Sequence, residues 1–130
     1  MIFGTAMTSN LRIILLGVLL VNIVFTAGAG AALKTTGRDE NLNIDQAMIP
    51  ASSRQAYDTM RVRCIKCHTR ERVVVAIKTG IAPISSGVFN KTATKAYGIK
   101  MLRKKDSNMS KQEVSIVIEL LNFLLDEAER

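Results

Sequence analysis

"RCIKCHTRER", residues 63–72, contains both cysteines and the one histidine of a 130-residue chain. Cys64 and Cys67 are three apart, and His68 follows at once. Thiol and imidazole chemistry is therefore confined to five positions. A thioredoxin-like redox pair would need this Cys-x-x-Cys at a strand-to-helix junction in an α/β domain. No alternating strand–helix series surrounds it. A structural zinc needs four ligands, and the chain offers two Cys and one His, so a carboxylate or a second chain would have to complete the set. A disulfide between residues three apart closes a small strained loop and leaves His68 without a purpose.

Covalent haem accounts for all three residues. Cys-x-x-Cys-His sets two thiols on one helical turn, spaced to add to the two vinyl groups of a haem. His68 then lies where the proximal iron ligand belongs. The spacing predicts one haem c, held by Cys64 and Cys67 and ligated by His68.

Outward from this stretch the pattern is helical. "ASSRQAYDTMRVRC" offers Ser52 as an N-cap with Gln55 in capping-box position. Ala56, Met60 and Cys64 then share one face, with Tyr57 beside them. "RERVVVAIKTG" carries three valines that favour a strand, but Gly80 after Lys78 reads as a helix C-cap, and a short helix is expected. In "SSGVFNKTATKAYGIKM" the residues Phe89, Ala93, Ala96, Tyr97 and Met101 keep helical spacing, with Lys91 and Lys95 toward solvent. Ser110 and Glu113 form a second capping box, with Met109 placed to staple against Val114. Val114, Val117, Ile118, Leu121, Leu124 and Leu125 make a broad apolar stripe that must be covered, and the first helix is the expected cover.

The N-terminal third reads differently. Arg12 is the only charge before "IILLGVLLVNIVF" (13–25), and "TAGAGAAL" (26–33) supplies A-x-A cleavage sites. Residues 1–32 are expected to be a secretory signal peptide. The competing reading is an uncleaved membrane anchor over residues 13–33, which is 21 residues long. Either way the domain is expected outside the cytoplasm, in a periplasmic or equivalent compartment. Residues 33–50 show no apolar period and read as a linker or N-terminal arm. The domain proper is expected over 51–130.

Net charge is +7, from 18 Lys+Arg and 11 Asp+Glu. Such a balance suits acidic proteins, anionic lipid or nucleic acid. No Lys/Arg run is interleaved with aromatics, so nucleic acid is not expected as a partner. No Ser/His/Asp set, carboxylate pair or phosphate loop appears, and hydrolytic catalysis is not expected.

Residues 52–130 resemble a small single-haem class I cytochrome c. The resemblance lies in Cys64-x-x-Cys67-His68, in Ala56 eight residues and Met60 four residues before the first cysteine, and in the long C-terminal helix. It implies an all-α fold in which N- and C-terminal helices cross around one covalent haem. It also implies a methionine ligand upstream of the last helix. The single histidine excludes bis-histidine ligation within one chain, so the distal position falls to Met, Lys, water or a partner's residue. Met101, nine residues before Ser110, matches the family's position; Met109 is the alternative, and the competing reading of Met101 is a core methionine filling a gap. The family's flanking proline is missing from "IKMLRKK", so Lys100, Lys104 or an open site also compete. Pro83 resembles the family proline whose carbonyl accepts the His68 ring N–H, or is an ordinary loop proline.

The expected function is single-electron transfer between redox partner proteins, not enzymatic turnover. Lys91, Lys95, Lys100, Arg103, Lys104 and Lys105 would suit an acidic docking surface, or form a solvated helix face. The alternatives are a haem sensor with an open sixth site and a tethered cytochrome subunit of a membrane oxidoreductase.

Overall fold

The computed structural model describes residues 32–130. The expected leader and its cleavage sites lie, but for Ala32 and Leu33, outside the described residues. The described chain is mostly helical, with four α-helices and one two-stranded hairpin. Among the described residues no helix is long and apolar enough to cross a membrane.

Strands β1 (Thr35–Thr36) and β2 (Asn43–Ile44) pair antiparallel, Thr35 opposite Ile44. Gly37 leaves β1 with φ +77, and a Cβ there would meet the Asn41 carbonyl oxygen at 2.2 Å. Only glycine fits this close return of the backbone. Residues 33–50, which lack a readable period, therefore fold onto the domain. Ile44 and Ile49 are 1% and 3% exposed and belong to the core, with Leu33 and Leu42 packed against it. The Tyr57 hydroxyl, 3.2 Å from the Ile44 carbonyl, donates to it and ties this arm to the first helix.

Helix α1 spans Arg54–Arg63 and buries Ala56, Tyr57 and Met60. Its start differs from the expected capping box. The chain enters through a 3-10 turn, Ala51–Ser53, and Ser53 occupies the cap position without a side-chain bond. The Ser53 amide bonds to the Pro50 carbonyl, so the tight turn takes the place of a Ser52/Gln55 box.

Helix α2, Arg70–Thr79, resolves the triple-valine stretch as helix. Val74, Ala76 and Ile77 are buried, and Gly80 closes it in the left-handed region with its amide bonded to the Ala76 carbonyl. Helix α3, Lys91–Arg103, starts at Asn90, whose side chain accepts from the Ala93 amide. Phe89 thus precedes the helix instead of belonging to it. It is buried in extended chain, and its amide bonds to the Gly80 carbonyl beside the Ile81–Val88 bridge.

Helix α4, Lys111–Ala128, has both halves of the Ser110/Glu113 capping box. It packs against α1 and α2, as its broad apolar stripe demands, but most extensively against α3. Gly98 permits that approach: a Cβ on it would lie 2.6 Å from Ile118 Cδ1 and 2.9 Å from Val114 Cγ1. Across the same contact, fully buried Thr94 lies 2.8 Å from Asn122 Oδ1.

Candidate haem-binding cavity

The Cys-x-x-Cys-His residues form a bend between α1 and α2. A 3-10 turn, Cys64–Lys66, continues α1, and Cys67 to Thr69 lead into α2. The α1 periodicity places Cys64 one turn below buried Met60, so its side chain is half-buried on the core side. Cys67, in the next turn, is exposed. Both are free thiols. Burial, with a smaller contribution from neighbouring Cys67, pushes the Cys64 thiol up to about 11. At neutral pH it is therefore a thiol, unlike the acidic nucleophile of a thioredoxin-like pair. Among the described residues no three His, Cys, Asp or Glu side chains come together as a metal-binding group, so no carboxylate completes a zinc site beside these cysteines.

A cavity of about 300 Å³ opens beside this bend. Its walls are almost entirely apolar, and Cys64 and His68 lie on its lining together with Met101 and Met109. These four residues come from three separate parts of the chain: the α1–α2 bend, the end of α3, and the loop before α4. Val114, Val117, Ile118 and Leu121 of α4 supply another wall. Cys67 is not on the lining. The 3-10 turn Cys64–Lys66 also touches the turn Lys105–Ser107, which lies between the two methionines.

His68 is half-buried, with Nδ1 3.4 Å from the carbonyl oxygen of Thr69. A proton on Nδ1 donated there leaves the Nε2 lone pair free, the form of imidazole that binds a metal. The family resemblance implied the Pro83 carbonyl as this partner; here Thr69 is the nearby acceptor. Pro83 lies on the cavity lining with Ile84 and Ser85.

Cations mark the cavity's edge. Arg72, Lys100 and Lys104 contribute to the lining while remaining exposed, and no Asp or Glu does. Lys100 Nζ lies 5.2 Å from the Tyr97 ring centroid, within cation–π range. Of the other cations expected at a docking face, Lys91 pairs with Asp126 of α4. Tyr97 Oη is 3.2 Å from Ser85 Oγ, so α3 is joined to the loop carrying Pro83.

The Cys64 thiol, the His68 imidazole and the Met101 and Met109 thioethers are donors that suit a c-type haem, while exposed Cys67 stands off the lining. Thiol, imidazole and thioether residues converge on an apolar enclosure, the chemistry such a group needs. Sequence reasoning missed Gly98 and Tyr97 as residues that shape this enclosure. The signal for Gly98 was a glycine inside a helical pattern, a common mark of close packing.

No family model, curated protein or solved structure matches the chain.

Proposed function

We propose that the protein is a single-haem c-type cytochrome of the class I kind, carrying single electrons between redox proteins outside the cytoplasm. One observation carries the reading: Cys64 and His68 of the bend line one apolar cavity with Met101, from a distant part of the chain. A random pairing of a Cys-x-x-Cys-His bend with a distant methionine gives no reason for such convergence.

In this reading Cys64 and Cys67 would hold the haem through thioethers, and the His68 imidazole and the Met101 sulfur would be its iron ligands. When bound, the haem supplies a one-electron couple. The chain's own residues set the conditions. Apolar side chains of α4, together with Met60 and Phe89, would surround the haem. Thioether sulfur is a soft donor that favours the reduced iron, so His/Met ligation in a dry site raises the potential relative to bis-histidine. Arg72, Lys100 and Lys104 at the edge favour an acidic docking partner, with fast and salt-sensitive association. The leader expected at residues 1–32 agrees with haem attachment outside the cytoplasm, whether it is cleaved or remains as an anchor.

The experiment is visible spectroscopy of protein produced in a host that attaches c-type haem. The expected result is haem that survives acidic acetone extraction in wild type and is lost in C64A/C67A. The oxidised form should show the weak long-wavelength band of methionine-to-ferric-iron charge transfer. Free, extractable haem would overturn the reading. Covalent haem without that band, binding CO readily when reduced, would replace the carrier with a sensor.

A further inference from the structure

Two methionines, not one, line the cavity on the side reached from α3 and α4. Met101 lies in the last turn of α3, and Met109 directly precedes the Ser110 cap of α4. Both are half-buried. The short chain between them is pinned. Ser107 is buried, its Oγ donates to the Lys104 carbonyl at 2.8 Å, and Asn108 turns the chain in the left-handed region at φ +49. The Ser110/Glu113 box then fixes the exit. The Lys105–Ser107 part of this link also touches the Cys64–Lys66 turn, so the chain between the two methionines is held against the attachment site.

The other candidate donors on the lining differ in kind. Met60 is buried on α1, one turn before Cys64, and so is carried on the attachment side of the site. Lys100 and Lys104 are exposed, and an ammonium must lose a proton and its strong hydration before it can bind a metal. A thioether has no proton to lose, and three rotatable bonds let it adapt its reach.

We propose that Met101 and Met109 are interchangeable distal donors, with Met101 the resident ligand and Met109 taking the position when Met101 is withdrawn. The inference rests on the haem reading above. In the exchange one sulfur replaces the other, and no proton or electron moves.

The test uses haem-loaded M101L, M109L and M101L/M109L, because Leu keeps volume and apolarity at each position. Covalent attachment is checked first by acidic acetone extraction of wild type. Extractable haem there overturns the reading and the inference with it. With attachment established, the readouts are the methionine-to-iron band of the oxidised form and CO binding by the reduced form. Both single variants should keep the band, shifted in position in M101L, and should bind CO slowly. The double variant should lose the band and bind CO freely. If M101L alone behaves like the double variant, Met109 does not substitute, and the inference fails while the cytochrome reading stands. If M109L alone does so, Met109 is the sole ligand and the inference also fails.

Discussion

Arg63 Nε lies 3.6 Å from Glu113 Oε1, joining the residue before Cys64 to the first turn of the last helix. The other carboxylate oxygen of Glu113 accepts from the Ser110 backbone amide at 2.7 Å. One side chain thus caps α4 and clips it to the Cys-x-x-Cys-His bend. The hydrogen bonds from Ser110, with a smaller contribution from Arg63, hold the Glu113 carboxyl below its ordinary value of 4.5. A lowered folded-state value contributes stability that is present above the unfolded value and lost as pH falls through the folded one. Thermal melts should therefore show Tm falling below about pH 4.5, with a shallower fall in E113Q. S110A should cost about 1 kcal/mol at neutral pH through loss of the cap.

Haem should change the cost of filling Gly98. Alanine there gains roughly 1 kcal/mol in helix propensity, but its Cβ would press on Ile118 and Val114. Both of those side chains line the cavity and can shift into it when it is empty. G98A should thus be close to neutral in the haem-free chain. In the haem-loaded protein it should be destabilising by about 1–3 kcal/mol, the usual cost of overpacking. Paired denaturation curves measure the difference.

The two thiols should react at different rates before haem is attached. A rise from 9.0 to about 11 lowers the thiolate population of Cys64 roughly a hundredfold relative to an unperturbed thiol. Cys67 is exposed. Iodoacetamide at neutral pH, followed by mass spectrometry of peptides, should label Cys67 first. Labelling of Cys64 should accelerate as pH rises toward 11.

Leu124 separates fold from site. It is fully buried and does not line the cavity. L124A should cost about 2–5 kcal/mol of stability. The methionine-to-iron band of whatever protein folds should be unchanged.

The sequence makes the chemistry of this site easier to read than its enclosure. Cys64, Cys67 and His68 announce themselves by scarcity and spacing, and Ser110/Glu113 by a local rule that depends on four consecutive residues. The same rule misleads at Ser52 and Gln55, because Pro50 opens a 3-10 turn that satisfies the Ser53 amide by backbone alone. Ile44 and Ile49 escape detection for another reason. They are five apart, on a two-residue strand and after a 3-10 turn, so neither a two-fold nor a 3.6-fold period connects them. Gly98 shows as a glycine inside a helical pattern, but what it accommodates, Ile118, is twenty residues on and no local spacing points to it.

The packed hairpin bears on how far the domain can stray from a bilayer. Leu33 packs against the core and β1 begins at Thr35, so the folded part starts almost where the expected leader stops. If residues 13–33 remained as an anchor, Lys34 alone would stand between it and β1, a reach of roughly 4 Å. Such a leash would hold the domain at the bilayer surface and turn its search for partners on the same membrane from a three-dimensional one into a lateral one.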